Sequence, residues 1–506
     1  MHVLLLHMHL NFNTVQSQKR NNIMVTFAQA VASTETHALT TNGMDTLANS
    51  LDPLVDLFFT IGSSRGKDIT AVFERAFQHD RTTAAKILFW ARDVRGGAGE
   101  RSTFRSLLLH MERLHPGAVL VLLPHIPEYG RWDDMLIFET DLVQQVAYNL
   151  YAAALMQKNG LAAKWAPRKH AVANRLRKYM NMTPKAYRKL VVELSRTVET
   201  QMCAQQWTEI NYSHVPSVAA ARYQSAFARH DTEGYGTYRA ALTSGDASVK
   251  INSSAVYPYD VVKSLAHGDA VVAQAQWDSL PNYLGEDFIL PMVDVSGSMI
   301  TPVSANSKVN CIDVAVSLGL YLADKQTGAF RDMFLTFSGN SRIEQLRGDL
   351  RSKLAQITSS NWGMNTSLES AYREILRVAT TNRVPAHEMP KYLLILSDME
   401  FDQATHAGYY PGFGKHHPSM PDPVTAQSMA AGMYAQAGYS LPKIVYWNLH
   451  AREGNVPVKF NEQGTALVSG FSPSIMKSIL AAKNFTPSSI MMETINSARY
   501  QPINIG

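Results

Sequence analysis

The spacing of hydrophobic and polar positions changes about halfway along this chain. From Met24 to about Ser244, apolar residues recur every three or four positions, most clearly over residues 46–60, 82–94, 100–114 and 141–156. That spacing predicts amphipathic helices. The joints between them carry Gly, Pro or Asn, as in Arg95-Gly96-Gly97-Ala98-Gly99, His115-Pro116-Gly117 and Pro127-Glu128-Tyr129-Gly130. Short helices in series suggest an α-solenoid of the HEAT type; this rests on helix succession, since no repeat of fixed length stands out. Residues 207–217 interrupt the pattern, a helical run over 218–230 follows, and residues 250–259 read as a connector. From about Asp287 the apolar residues gather into short runs, 289–293, 333–337, 392–396, 443–449 and 465–468, which predict strands. Helical patterns over 311–325, 367–379, 424–436 and 474–482 separate most of them. Strands alternating with helices imply a parallel sheet covered on both faces. The expected fold class is therefore α followed by α/β. A helical repeat domain spans residues 24–280, and a doubly wound, Rossmann-like domain spans 281–506. Residues 1–23 are expected to be an unstructured extension, or a start placed upstream of Met24.

Composition changes this picture little. The 506 residues, 46% hydrophobic and 18% charged, describe globular domains with sizeable cores. Cys203 and Cys311 lie far apart and in no metal-ligand spacing, which argues against a disulfide framework and suits a reducing, cytoplasmic setting. No apolar run approaches the length of a membrane span. Charge is more informative. Residues 1–280 hold 29 Lys+Arg against 24 Asp+Glu, and residues 281–506 hold 18 of each, so the whole excess of +5 lies in the first part.

Two stretches concentrate that charge. Between Leu142 and Val192 there is no acidic residue, while Lys158, Lys164, Arg168, Lys169, Arg175, Arg177, Lys178, Lys185, Arg188 and Lys189 all occur there, interleaved with Trp165, Tyr179 and Tyr187. A basic stripe with aromatics is the footprint of a nucleic-acid surface, and the rings suit stacking on exposed bases. It is also what a solvated helical face looks like when its lysines meet acids from elsewhere in the fold. The second stretch runs Arg92-Asp93-Val94-Arg95-Gly96-Gly97-Ala98-Gly99-Glu100-Arg101. Free amides at a helix start beside Arg92, Arg95 and Arg101 make a candidate phosphate site. The same residues fit a helix–helix corner whose arginines pair with Asp93, Glu100 or Asp134. Gly130-Arg131-Trp132-Asp133-Asp134 reads as a structural corner.

The run Ile289-Leu290-Pro291-Met292-Val293-Asp294-Val295-Ser296-Gly297-Ser298-Met299 carries a buried-strand pattern into Asp-x-Ser-x-Ser. The polar residues fall on the loop at the strand's carboxyl end, where open α/β sheets place ligand sites. One carboxylate and two hydroxyls are hard oxygen donors, suited to Mg2+ or another divalent cation rather than zinc. Trp362-Gly363-Met364-Asn365-Thr366-Ser367 and Tyr392-Leu393-Leu394-Ile395-Leu396-Ser397-Asp398 follow in order. Together these resemble the metal-ion-dependent adhesion site of von Willebrand A domains. The resemblance implies that Ser296, Ser298 and Thr366 bind the metal directly, with Asp294 and Asp398 holding it partly through water. After Asp398 comes a long Gly/Pro/His-rich loop containing His416 and His417, read as a mobile contact loop.

With both halves considered, the chain resembles the Ro/TROVE-like proteins, a helical-repeat ring followed by a von Willebrand A domain, and in particular an uncharacterised branch of that group, a named domain of unknown function. The stretches around Arg92 to Arg101, Gly130 to Asp134, Val215-Pro216-Ser217, Lys250-Ile251-Asn252, Asp294 to Ser298, Trp362 to Thr366, Ser397 to Phe401, Ile444-Val445-Tyr446-Trp447-Asn448-Leu449 and Val468-Ser469-Gly470-Phe471-Ser472-Pro473 carry it. The Ro resemblance implies RNA as partner, small non-coding RNA in particular, held by basic residues. The expectation is a non-enzymatic, ribonucleoprotein-like protein with a metal-binding second domain. The alternative is an adaptor whose metal takes an acidic residue from a protein partner. A hydrolase is the weakest reading, for want of a second carboxylate cluster, a Ser/His/Asp pattern, a phosphate-binding Gly-Lys-Ser/Thr loop or zinc spacing.

Overall fold

Local chemistry sets the first helix boundary. Asp52 caps helix α1 (Pro53–Ile61), its carboxylate accepting from the amides of Leu54 at 2.8 Å and Val55 at 3.3 Å. Pro53 occupies the first turn, where a missing N–H is harmless. The helix expected over 46–60 thus starts too early. Asp45–Leu47 is instead a strand, β2, paired antiparallel with β1 (His37–Leu39). The computed structural model describes residues 37–41, 45–195, 197–303, 307–338, 340–360, 367–401, 426–450 and 455–506. Thr366 with Trp362 to Asn365, residues 1–23, and the loop bearing His416 and His417 lie outside the described residues.

After α1 the chain remains helix-rich. It runs through α2 (Arg81–Arg92), α3 (Arg101–Leu114), α4 (Asp141–Met156), α5 (Gly160–Trp165), α6 (His170–Tyr179) and α7 (Pro184–Leu194). The helix expected over 218–230 divides at Tyr223 into Ser217–Arg222 and Gln224–His230. Two further helices, Pro258–His267 and Ala270–Asp278, lead into the sheet.

Six strands follow in the spatial order β5-β4-β3-β6-β7-β8. They are β3 (Ile289–Asp294), β4 (Met333–Phe337), β5 (Ile343–Gln345), β6 (Tyr392–Ser397), β7 (Lys443–Asn448) and β8 (Thr465–Ser469). Neighbours are parallel except at the β4–β5 edge. Every residue of β3, β6 and β8 is buried, the pattern of strands covered on both faces. Helix α8 (Cys311–Lys325) crosses β3 so closely that a Cβ at Gly319 would lie 2.4 Å from a Val293 methyl and 3.7 Å from Leu396. Tyr446, one residue from Trp447 on β7, faces the opposite side, where its ring neighbours Tyr372 of α9 (Leu368–Thr381).

Most of the helix-rich region shares a hydrophobic core with the sheet, and buried residues between Val198 and Val272 form a second cluster, within a compact unit spanning His37–Gly506. The end of α1 lies directly on the ends of β7 and β8. Ser469 Oγ donates to Phe58 O at 2.8 Å and accepts from Gly62 N at 3.0 Å, and Asn448 Nδ2 donates to Phe59 O at 3.3 Å. A Cβ at Gly62 would sit 2.6 Å from Ser469 O, so only glycine permits this approach. Beyond α10 (Pro487–Ile495), Arg499 pairs with buried Asp93, and Tyr500 Oη donates to the same carboxylate at 3.0 Å.

Candidate functional site

Strand order singles out one pair of strand ends. From β3 the chain goes to β4 on one side, and from β6 it goes to β7 on the other, so the connections diverge at the carboxyl ends of two adjacent strands. Open α/β sheets bind ligands in the crevice such a divergence leaves. Val293 registers with Leu396, which sets Asp294 beside Ser397 with Asp398 next. Asp294 Oδ1 accepts from Ser296 N at 2.9 Å, and Oδ2 accepts from Ser397 Oγ at 2.5 Å. The hydroxyls of Ser296 and Ser298 lie 3.0 Å apart. Asp294, Ser296 and Asp398 are buried, and Ser298 is half-buried.

Burial, and then the neighbouring Asp398 carboxylate, push Asp294 up to about 7, against the hydrogen bonds from Ser397 and Ser296. The shift corresponds to roughly 4 kcal/mol against the ionised form. Among the described residues no three His, Cys, Asp or Glu side chains group in a way that could hold a metal. The donors available here are two carboxylates and two hydroxyls, a set that could serve a hard cation. Four of the five residues expected at this site therefore converge on one pair of strand ends, and the fifth, Thr366, lies outside the described residues.

The loop after Asp398 is braced by residues that sequence reasoning missed. Met399 takes a left-handed φ of 67°, unusual for a bulky side chain. Ser397 Oγ accepts from its amide at 3.0 Å, and Asn455 Nδ2 donates to its carbonyl at 2.8 Å. Glu400 accepts from Thr41 N at 2.7 Å and from Asn455 Nδ2 at 3.2 Å, and Thr40 Oγ1 donates to Phe401 O at 2.7 Å. Glu400 is thus a brace for the loop. Nothing local in the sequence marks Asn455, which reaches this loop from the far side of β7.

The basic stretch forms a second candidate site. Arg168, Lys169, Arg175, Lys178, Lys185, Arg188 and Lys189 are exposed, and Lys164 and Arg177 are half-buried. Among the described residues none of the nine forms an ion pair. The facing sides of α6 and α7 leave a cleft of about 130 Å3 lined by Arg168, Lys169, His170, Asn174, Arg177 and Arg188 over Ala173, Tyr187 and Val191. The aromatics play a different part from the base-stacking expected of them. Trp165 lies under Arg131 at 3.7 Å, Tyr179 stacks on Tyr148 with ring centroids 5.3 Å apart, and buried Tyr187 donates to Pro167 O at 2.9 Å. They are committed to packing.

The glycine-rich arginine stretch behaves otherwise. Arg92 is buried and paired with Asp134 at 2.8 Å, and Arg101 reaches Asp133 at 3.0 Å and Asp134 at 3.9 Å. Arg105 and Arg131 join the same two carboxylates. Arg95 and Arg101 are exposed, and Arg95 alone of the three candidate phosphate ligands forms no ion pair among the described residues, its amide donating to Asp93 Oδ1 at 3.0 Å. Glu100 pairs with Arg65; burial still pushes its carboxyl up to about 7, against the pull of that guanidinium.

Two family models match successive parts of the chain. A family model described as "Domain of unknown function (DUF2828)" matches residues 40–136 and 138–286, and one described as "Domain of unknown function (DUF7788)" matches residues 289–501. Uncharacterized protein L728 of Acanthamoeba polyphaga mimivirus is 26% identical over 92% of this chain and 89% of its own length. Among solved structures, the RO (RSR) protein of Deinococcus radiodurans is 15% identical and covers 84% of this chain and 90% of its own, with a TM-score of 0.36. No helix among the described residues is long and apolar enough to cross a membrane. The chain is thus similar, nearly end to end, to two successive domain models and to one viral protein that spans both.

Proposed function

We propose that this protein is a non-enzymatic RNA-binding protein of the ribonucleoprotein kind. Its helix-rich part acts as a HEAT-like scaffold, and its sheet as a von Willebrand A-like domain that takes up Mg2+. The observation that carries the reading is the row of exposed basic side chains on α6 and α7, which meet no carboxylate among the described residues. A folded chain can neutralise surface cations with its own acids, and this one does so elsewhere. Cations left without partners along consecutive helices attract a polyanion, and phosphate contacts give such binding most of its affinity and its salt dependence.

At the sheet, Asp294, Asp398, Ser296 and Ser298 would hold the metal, with Thr366 as the fifth donor by resemblance. Two buried carboxylates acting on each other suit a divalent cation, which would let Asp294 ionise where burial otherwise opposes it. The bound ion would supply an open coordination position for an acidic group.

Filter binding of single-stranded RNA at two salt concentrations tests the RNA reading. Changing Lys169, Arg175, Arg177 and Lys178 to Ala is expected to weaken retention about 10- to 100-fold. It should also reduce the log–log salt slope by up to about 3, at roughly 0.7 per phosphate contact for a single strand. Retention unchanged by all four substitutions would sink the reading. The adaptor alternative draws on Ile300, exposed beside the Ser296–Ser298 turn as an apolar contact for a partner. Pull-downs that lose a protein partner in EDTA and with Asp294→Ala, while RNA retention stays absent, would favour it.

A further inference from the structure

A polar cavity of about 380 Å3 lies at the opposite end of the sheet from Asp294 and Asp398. Gln326, just past the end of α8, fixes its place. Its Nε2 donates to the carbonyl of Ile289 at 3.0 Å, and Ile289 is the first residue of β3, whereas Asp294 is the last. One wall comes from the helix-rich part, through Gln274 and Asp278 of the helix Ala270–Asp278. The other comes from the sheet part, through Asp324, Lys325, Arg331 and Lys353.

Most of this lining is already held in position. Asp324 accepts from Trp277 Nε1 at 2.8 Å and from Lys353 Nζ, and buried Lys353 also reaches Asp332 at 2.5 Å. Gln274 Oε1 accepts from Leu350 N at 2.8 Å while its Nε2 donates to Asp278 Oδ1 at 2.8 Å. Lys325 Nζ donates to the Asp278 carbonyl at 3.2 Å. A lining ordered in advance loses little freedom when a ligand arrives. Three charged groups are nevertheless left open. Asp278, exposed, and Lys325, half-buried, form no ion pair among the described residues. Arg331 is exposed and stands 3.8 Å from Asp332, too far for a hydrogen bond.

The signs narrow the ligand. Burial works to raise the Asp324 carboxyl, yet hydrogen bonds from Lys353 and Trp277 hold it below the ordinary range, so it is ionised at neutral pH. Lys353 between Asp324 and Asp332 leaves one negative charge, and Asp278 adds a second. Lys325 and Arg331 balance both. The site is therefore neutral as a whole while it presents both signs. A dianion would be repelled by Asp278, and a dication by Arg331 and Lys325. A molecule that binds by ring stacking would find no aromatic side chain in the lining. The volume falls within the range of about 300–1,000 Å3 typical of small-molecule sites. What matches is a small molecule that is itself neutral and carries one charge of each sign.

We infer that this cavity binds a free α-amino acid, its carboxylate held by Arg331 and Lys325 and its ammonium group by Asp278. The polar lining favours a polar side chain. Neither the exposed cations of α6 and α7 nor the Asp294 strand end takes part, so the inference goes beyond the RNA reading and stands apart from it.

The full chain is titrated with each of the twenty common L-amino acids by isothermal titration calorimetry. At least one with a polar side chain is expected to bind saturably at millimolar concentration or below. Its N-acetyl derivative and its carboxamide should each bind about 10-fold more weakly, the scale of one lost charge-assisted hydrogen bond. Asp278→Asn keeps an acceptor for Gln274 and should abolish the preference for the free amine alone. Arg331→Gln should abolish the preference for the free carboxylate alone. Both positions are exposed, and circular dichroism checks that each variant is folded. That crossed pattern would not arise from a general loss of structure. Twenty titrations without saturable heat would overturn the inference. Putrescine or succinate binding as tightly as the best amino acid would overturn it in favour of a site for one sign of charge. Derivatives that bind as tightly as the free amino acid would overturn it in favour of a site for uncharged polar molecules.

Discussion

Two arginine-rich regions of the helical part, close in sequence, put the same side chain to opposite use. Around the turn between α2 and α3, Arg92, Arg101, Arg105 and Arg131 share Asp133 and Asp134. Asp134 is wholly buried and accepts from Arg92 Nε at 2.9 Å, Arg105 Nε at 2.5 Å and the Arg131 amide at 2.9 Å. Burial works to raise the Asp133 carboxyl, yet Arg131, Arg105 and Arg101 together hold it below the ordinary range. On α6 and α7 none of the cations pairs with a carboxylate among the described residues, Glu193 of α7 included, and most of them remain at the surface. Arginine content therefore distinguishes neither region. What distinguishes them is whether a carboxylate was placed within reach, which makes the first a structural corner and the second a surface for an external anion.

The contrast breaks most severely at Asp134. Asp134→Ala would leave Arg92 buried without its partner, and removal of one member of a buried pair costs about 3–5 kcal/mol. Urea unfolding should show that loss as a lower midpoint with the slope unchanged. A loss below about 1 kcal/mol would mean that the corner is not held by its ion pairs.

The same rule with the sign reversed applies at the sheet, where Asp294 and Asp398 are carboxylates rather than cations. In EDTA the raised Asp294 carboxyl keeps its proton in the folded chain after the unfolded chain, titrating near 4, has lost it. The folded state then binds more protons, so stability falls as pH rises from about 4 towards about 7 and levels off above. Up to roughly 4 kcal/mol is at stake across that window. Thermal unfolding from pH 4 to 8 should show the decline in EDTA, a flatter profile with Mg2+ and a flatter one with Asp294→Asn. A profile in EDTA that is level for the unsubstituted protein would remove the electrostatic reason for placing a metal there.

How much of this was legible beforehand follows from where the partners lie. The ends of β3 and β6 could be read because each strand is a buried run with a polar stop, and parallel pairing then brings Asp294 to Ser397 across 103 positions. The acid-free stretch could be read as well, because absence of carboxylates over 50 residues is visible in one dimension. The corner role of Arg92 could be read too, with Asp134 among its possible partners. Which of the three acids it takes could not, since Asp134 stands 42 positions away and the flanking Asp93 and Glu100 pair instead with Arg499 and Arg65. Nor could the brace of the Asp398 loop, because Thr40, Thr41 and Asn455 come to it from opposite ends of the chain. Strand β2 was misread as helix for a related reason. Its pattern is helical in isolation, and what makes it extended is pairing with His37–Leu39 and the bridge from Leu47 to Val456.

The mildest test converts the second region into a copy of the first. Asn174 Oδ1 already accepts from Arg177 Nε at 3.1 Å, so Asn174→Asp places a carboxylate beside a cation of the α6–α7 cleft with little change of shape. The new pair, three residues apart on a helix, should stabilise the fold by about 0.3–0.5 kcal/mol. The same carboxylate would neutralise one of the cleft's cations and repel phosphate, so RNA affinity should fall several-fold even as the unfolding midpoint rises. That opposition of sign is the informative outcome. A surface selected for the stability of its own fold would gain from the substitution without loss, whereas a surface that keeps its cations unpaired for a ligand must lose binding as it gains an internal partner. If both quantities rose together, the exposed cations of α6 and α7 would be ordinary solvated charges, and the contrast with the Asp133–Asp134 corner would concern packing alone.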